Sequence, residues 1–495
     1  MRFIYYLIAA LWGLSFWFVP THDPDFGWHL LGGVTVLTTG DVPRQDFINT
    51  FGGYWIDYHW LGQSILYKAY QALGFENLRY AVGIFMAIFG LLFAYFLEVN
   101  YSKKSPRFIP IITLLILGDS LRSTFSIRPQ IFGLFCIILT LTVLARNRSG
   151  KIELPIIFLI TALVANIHVY WVLIPMIWLI YRVIPRYVQK ADTTFIYSWG
   201  GFFFISLAGL ISPYGIFQNG QGIGIWSNYA VIFDYLTMPE ELSRAIIEFQ
   251  PGLSQLGPPF YGAVLCLIVF SAVLSKSLIK KLFCDLSIAL IGLWQMIKAI
   301  KFASIFAIFA APILVRLFPI FLFRRLKIPL LMAKKYDSII MILILSVSIF
   351  RAAECSPYLM DMSAYMTYEL PGEACRRIES LNLTKNSKRD HIRVLTHFDF
   401  GGWCRWYAYE KNPSFDMRVT TDGRTQLIPP DHFKKYFDLY ALKNDWAKTL
   451  MISNPDVVVV KKAQALAQIL VRDPSRWVLM HEDATFALFV PKAKS

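Results

Sequence analysis

"FIYYLIAALWGLSFWFVPTHDPDFGWHLLGG", residues 3–33, joins an uncharged apolar run to a crowd of ionisable side chains. The run Phe3 to Val19 is long enough to cross a bilayer. Pro-Thr-His-Asp follows it, with no small-residue cleavage site, so it reads as a first membrane helix rather than a removed leader. Immediately beyond, His22 to His29 packs two aspartates, two histidines and a tryptophan into one short stretch. A carboxylate at the end of a membrane helix is expensive unless it is partnered or faces water. In such a place its pKa rises toward the range of a general base.

Working outward, the 495 residues are 56% hydrophobic and 16% charged, with mean hydropathy +0.48. Soluble domains carry about 25% charged residues, so a polytopic α-helical membrane protein is expected. The net charge is +15, yet residues 352–495 hold 20 Lys and Arg against 17 Asp and Glu. Most of the excess therefore lies in short loops between apolar segments. That is positive-inside topology rather than a phosphate-binding face, and nucleic acid is excluded as a partner.

Apolar stretches fall near residues 3–19, 80–97, 107–121, 129–145, 154–167, 170–184, 198–212, 260–275, 282–297, 302–322 and 337–351, about eleven transmembrane helices. The Lys- and Arg-rich connections around Lys103, Arg146, Arg186, Lys280 and Arg324 then share one side. This predicts a cytoplasmic N-terminus and an extracytoplasmic C-terminal domain. The expected division is a membrane domain at 1–351 and a small soluble α/β domain at 352–495. Two long extracytoplasmic loops, 20–77 and 212–259, interrupt the first, and loops of this size are usually functional. Two helices near Trp28–Thr38 and Tyr58–Leu73 suit an interfacial position. In the tail, "IRVLTHF", "PDVVVVKK" and "ATFALFV" read as strands and "PPDHFKKYFDLYALKNDW" as helix. Cys136, Cys266 and Cys284 lie in apolar segments; Cys355, Cys375 and Cys404, in the tail, permit at most one internal disulfide.

Five constellations carry chemistry. The first loop supplies Asp23, Asp25, Trp28 and His29, then Asp41, Arg44 and Asp46, then Asp57, His59 and Trp60. Against a catalytic reading stands a plain one, equally weighted on the residues alone: Asp25 caps the helix that starts at Phe26. Arg122 and Arg128 flank a short turn; Pro129 fixes Arg128, while Arg122 suits snorkelling at a helix end. "ANIH" places Asn166 and His168 at a hairpin corner, where a polar turn explains them as well as a site does. Lys298 and Lys301, one helical turn apart, oppose the positive-inside trend, and a lipid phosphate is their natural partner. Glu240, Glu241, Arg244 and Glu248 have helix spacing, and Glu248 is a weaker candidate for substrate contact. The tail's His397, Asp399, Asp422, Arg424 and His432 match no metal spacing, and its Gly-Gly and Asp-Gly read first as turns. No Walker loop or dinucleotide fingerprint is present.

In order, these landmarks resemble bacterial integral-membrane glycosyltransferases of the GT-C superfamily, in a largely uncharacterised branch. The carriers are Asp25, Trp28, His29, Gly33, Gly40, Pro43, Asp46, Trp55, Trp60 and Leu61, then "RPQ" at 128–130, "ANIH" at 165–168, "SPYG" at 212–215, "DFGGW" and "DGR". Lys298 and Lys301 stand where that branch usually has an Arg-rich stretch.

The resemblance implies a multi-pass protein of the inner (cytoplasmic) membrane that takes a sugar from a polyprenyl-phosphate donor to an acceptor hydroxyl. The acceptor is a lipid, a glycan or a protein. Asp25 would be the base of an inverting displacement, with His29 beside it. Arg128, Lys298 and Lys301 would bind the donor phosphate. Asp46, Trp28, His59, Trp60, His168 and Glu248 would orient the substrates. Some enzymes of this superfamily bridge a first-loop carboxylate and the phosphate with a divalent metal, so Mg or Mn is admitted as a cofactor, although the lysines favour neutralisation without one. A lipid-linked glycan transporter or a non-catalytic membrane scaffold is the alternative.

Overall fold

The computed structural model describes residues 2–15, 23–101, 106–122, 127–146, 152–188, 196–214, 224–236, 262, 264, 266, 270, 275–354, 370–381, 383 and 390–492. By internal contacts the chain divides into two units. One comprises Met1–Pro20, Leu73–Ser212 and Ile246–Leu359; the other comprises Thr21–Ala72, Pro213–Ala245 and Met360–Ser495. The first long loop and part of the second thus fold with the tail, although far from it in sequence.

The first unit is helical. Each expected apolar stretch coincides with a helix except that near 260–275, most of which lies outside the described residues. Among the described residues, four helices suffice by length and composition to cross a membrane: Trp60–Asn100, Val169–Tyr187, Ile300–Arg325 and Leu330–Ala353. Arg2–Leu14, Phe108–Gly118, Gln130–Arg146, Glu153–Ala165 and Ile196–Leu210 are apolar but shorter. Gly74, at φ 72°, breaks the 41-residue Trp60–Asn100 segment in two, and only its second part belongs to this unit.

The buried carboxylates described in this unit, Glu153 and Asp285, are each paired with an arginine, as burial requires. Arg182 grips Glu153 with two parallel bonds, Nε to Oε1 at 2.7 Å and Nη2 to Oε2 at 2.8 Å. Arg316 binds Asp285, which also accepts the Tyr181 hydroxyl at 2.8 Å. The backbone N–H groups of Arg107 and Phe108 donate to Asp337 at 3.1 and 3.0 Å, capping the helix that follows.

The second unit is built on a five-stranded sheet in the order β2-β1-β3-β5-β4. Its strands are β1 (Ile392–Thr396), β2 (Met417–Val419), β3 (Val457–Lys461), β4 (Trp477–Glu482) and β5 (Phe486–Pro491). The first three are parallel, and β5 and β4 turn antiparallel. Val457 to Val460 are all buried, the continuous apolar run expected of a strand covered on both faces. Leu439, Leu466 and Leu470, from helices Pro430–Tyr440 and Ala465–Arg472, join Val458, Val460 and Phe489 in one core.

The outer edge of β2 is closed by the first loop. Thr50 N donates to Val419 O at 2.8 Å, and Val419 N donates to Ile48 O at 2.9 Å, a parallel bridge at Asn49. An edge that would otherwise template aggregation is thereby paired.

Two expectations are corrected here. The Phe26–Thr39 helix does not turn a free apolar face outward over its first half: Phe26 to Val34 are all buried, packed on the helix Phe398–Lys411. And "FGGW" is not a turn: Gly401 and Gly402 lie inside that helix. A Cβ at Gly401 would stand 1.9 Å from Thr421 O, and one at Gly402 3.0 Å from Trp28 N. The pair is glycine because two backbones pass close by, not because the chain reverses.

Candidate active site

Asp25 stands at the start of the Phe26–Thr39 helix with φ −86° and ψ −16°. Its side chain makes no capping bond. Asp23 shapes the entry instead, accepting the Asp25 N–H on Oδ1 at 2.8 Å and the Phe26 N–H on its backbone oxygen at 3.1 Å. The Asp25 carboxylate, half-buried, accepts the Trp28 indole N–H on Oδ1 at 3.0 Å. One turn of helix separates the two, which is the spacing that lets side chains meet.

Aromatic rings continue from there. The Trp28 ring lies 3.7 Å from that of His29, and His29 meets His59 edge-on at 5.2 Å. Tyr58 covers His59 from the other side at 4.0 Å. All four residues are buried. Trp60 begins the next helix, partly buried. The Phe26–Thr39 helix reaches that second helix closely because Gly32 has no side chain; a Cβ there would stand 1.8 Å from Gln63 Oε1.

Asp57 is the member of this loop that the sequence named without singling out. It is 1% exposed and accepts the His59 N–H at 3.2 Å and Gln63 Nε2 at 2.9 Å, both on Oδ1. Its own N–H donates to the Tyr214 hydroxyl, within the "SPYG" landmark. Burial pushes the Asp57 carboxyl up to about 7, against the opposing pull of the His59 N–H, Arg424 and Gln63. A desolvated acid with few donors behaves so.

Asp46 is placed in a buried ion triad rather than in the ring cluster. Arg424 Nη2 donates to Asp46 Oδ1 at 2.8 Å and to Asp422 Oδ2 at 2.6 Å, and Nε donates to Asp422 Oδ1 at 3.0 Å. The guanidinium lies 4.4 Å over the Trp55 ring. Burial raises the Asp46 carboxyl above its ordinary value, Arg424 opposes this and Asp422 adds to it. Sequence reasoning dismissed Asp422 and Arg424 as a turn; the ordered "DGR" landmark was the signal that pointed at them.

Gly423, between those two, abuts the carboxylate of Asp25. A Cβ on it would stand 1.8 Å from Asp25 Oδ1 and 3.2 Å from Trp28 Nε1. The tail helix Phe398–Lys411 adds Trp403, whose indole donates to Asp23 O at 2.7 Å. Cys404, next in line, is disulfide-bonded to Cys375. Cys355 lies outside the described residues.

Arg128, Asn166, His168, Lys298 and Lys301 lie in the first unit. Arg128 is partly buried just before the Gln130–Arg146 helix. His168 is 9% exposed and takes the Tyr170 N–H on Nδ1 at 3.3 Å, while Asn166 ties the corner to Ile211 O at 2.8 Å. Lys298, exposed, ends one helix; Ala299 is extended, and Lys301 sits in the turn Ile300–Phe302 that follows. The two lysines therefore flank a break rather than share one helical face. Glu240, Glu241, Arg244 and Glu248 lie outside the described residues, as does the side chain of Arg122.

Among the described residues no group of three or more His, Cys, Asp or Glu is placed to hold a metal ion. Asp23 and Asp25, the first-loop carboxylates closest together in the chain, already accept N–H donors on Oδ1. No chemistry below passes through a metal ion.

Neither protein-family models nor curated proteins give a match to the chain. Solved structures do. The archaeal oligosaccharyltransferase AglB from Archaeoglobus fulgidus, in complex with an inhibitory peptide and a dolichol-phosphate, is 12% identical with TM-score 0.57, covering 92% of this chain and 69% of that one. The same enzyme in its apo form gives 13% and 0.53 over the same shares. The arabinofuranosyltransferase AftD from Mycobacteria is 12% identical with TM-score 0.57, covering 100% of this chain and 40% of that one. At these identities the likeness is one of fold alone.

Proposed function

We propose that the chain is a membrane glycosyltransferase that moves a sugar from a polyprenyl-phosphate donor to an acceptor hydroxyl on the extracytoplasmic face. The observation that carries this is the Asp25 carboxylate, held by Trp28 at 3.0 Å beside two histidine rings. It belongs to a chain whose fold is shared with two GT-C glycosyltransferases, one of them solved with a dolichol-phosphate. The Cys375–Cys404 bond supports an oxidising compartment for the tail, as the charge topology expects.

In the proposed step the acceptor oxygen attacks the anomeric carbon while the bond from that carbon to the phosphate oxygen breaks, inverting the centre. Asp25 takes the hydroxyl proton. The electron pair leaves with the polyprenyl phosphate, whose anion needs no proton donor. Arg128, Lys298 and Lys301 are the proposed stabilisers of that charge. His29 and His59 hold the Trp28 ring and so the geometry of the base. The proposed acceptor is a lipid, glycan or protein, and the membrane that of a bacterial cell.

The test uses membranes containing the full chain, a radiolabelled polyprenyl-phosphate sugar pool and candidate acceptors. Asp25→Asn is expected to lower transfer about 100-fold to 10,000-fold at matched expression. Unchanged transfer removes Asp25 as base. Lipid movement across the membrane with no transfer from any donor establishes the transporter instead.

A further inference from the structure

The tail takes part in the placement of the base. We propose that the Asp422-Gly423-Arg424 turn is a positioning element for the Asp25 carboxylate: Gly423 abuts the carboxylate, and Arg424, clamped from two sides, holds Gly423. The inference rests on Asp25 being the base.

Gly423 is not in the left-handed region that favours glycine; the positive-φ glycines are Gly40, Gly52, Gly53, Gly74 and Gly224. Its backbone would accept alanine. What forbids a side chain is the contact, since a Cβ would come 1.8 Å from Asp25 Oδ1. That oxygen thus meets both the Trp28 indole and the Gly423 backbone. A carboxylate fixed by a hydrogen bond and by a backbone stop keeps one orientation, and a reacting group displaced by about 1 Å loses about 100-fold in rate.

The turn that carries Gly423 is unusually fixed. Arg424 N donates to Asp422 Oδ1 at 2.8 Å, so the turn closes on itself. The Arg424 side chain then ties it to Asp46 of the first loop at 2.8 Å and stacks on Trp55. Arg424, Asp422 and Asp46 side chains have 0% exposure. From the other side, Thr421 O is crowded by Gly401 of the Phe398–Lys411 helix. Nothing in the folding of the sheet requires a glycine at 423; its closest neighbours are the base and the indole that binds the base. Asp46 therefore acts on the reaction through Arg424 and the turn.

Gly423→Ala is the informative variant, because the group it meets is the end of a side chain that can rotate away while the backbone stays. Sugar transfer is measured in the membranes and with the labelled donor pool described above, for the wild type, Gly423→Ala, Asp25→Asn and the double variant. Gly423→Ala is expected to lower kcat about 10-fold to 100-fold with the donor KM within about twofold. In the Asp25→Asn background it is expected to cost no further activity, because it acts only through the carboxylate. Arg424→Lys, which keeps the charge and loses the fork, is expected to fall between wild type and Gly423→Ala. Wild-type kcat in Gly423→Ala, or an equal loss in both backgrounds, overturns the positioning role. Full transfer in Asp25→Asn alone overturns the reading of the base on which it rests.

Discussion

Arg424 of the tail and Asp46 of the first loop, 378 residues apart in sequence, meet at 2.8 Å with no solvent at either side chain. The contact explains why the first loop folds with the tail. A buried guanidinium needs its charge balanced and its donors used, and Asp422 alone leaves part of that unmet. Asp46 adds a second carboxylate on Nη2, Trp55 covers the flat face, and the loop between them pairs with the edge of β2. Loop and sheet are joined by this ion contact and by the backbone bridge, while Arg424 Nη1 and Asp46 Oδ2 keep no hydrogen-bond partner among the described residues.

Arg424→Ala would leave Asp46 and Asp422 buried without a cation. Breaking a buried pair from one side costs about 3–5 kcal/mol. Thermal unfolding of the full-length protein, followed by circular dichroism, reports the loss. An unfolding curve that matches wild type at pH 8 contradicts the clamp.

Asp57 gives a pH dependence whose sign follows from its shift. Its folded pKa is about 7, raised from 3.8. The folded state therefore holds a proton that the unfolded chain releases between these values. The stability this group contributes is full below the unfolded pKa and is lost as pH rises through about 7. Asp57→Asn keeps an oxygen for the His59 N–H and removes the titration. The melting temperature of Asp57→Asn relative to wild type is expected to climb between about pH 4 and 7 and then level off. A difference flat in pH means Asp57 is ionised in the folded protein.

Much of this fold was legible. Apolar runs such as Gln130–Arg146 announce themselves, because a bilayer-length segment needs nothing beyond composition. β1, β3 and β5 were readable as short apolar runs bounded by polar turns, whereas β2, three residues long, and β4, with an exposed apolar face, carry no such pattern. At the site, the resemblance singles out Asp25, Trp28 and His29, and one helical turn brings the Asp25 carboxylate to the Trp28 indole. It carries Asp-Gly-Arg only as a landmark, with no role for Arg424. Asp-Gly-Arg is a turn by every local rule, and the partner that buries it is set only by the tertiary fold. Asp57 was visible as a carboxylate, but its raised pKa comes from burial, which only the tertiary fold sets; even the hydroxyl that takes its N–H, that of Tyr214, comes from a distant segment.

Trp28→Phe separates the hydrogen bond from the ring. Phenylalanine keeps a ring near His29 but offers no N–H to Asp25 Oδ1. A hydrogen bond to a charged group is worth about 1.5–3 kcal/mol, so transfer is expected to fall about 10-fold to 100-fold. The cost in stability, from a partly emptied core position, is expected to be about 1–2 kcal/mol. Initial rates and melting temperatures on one preparation check both. A rate equal to wild type would show that the indole N–H does not hold the base.

Cys375 and Cys404 join the short helix Gly372–Arg377 to the helix that carries Trp403 and the glycine pair. Both half-cystines are buried, so the bond is screened from exchange. The bond reaches the site through Trp403, whose indole holds Asp23 O and so the entry to the Phe26–Thr39 helix. Removing a native disulfide costs about 2–4 kcal/mol. Cys404→Ala is therefore expected to lower both the melting temperature and sugar transfer, and Cys375→Ala to match it, since either leaves the same link broken. Placement is checked separately, by a thiol-reactive maleimide applied to intact cells and followed by mass spectrometry. Peptides containing Cys375 and Cys404 are expected to stay unlabelled until the sample is both denatured and reduced. Labelling after denaturation alone would mean the two are thiols, and would remove the disulfide's support for placing the tail on the oxidising face.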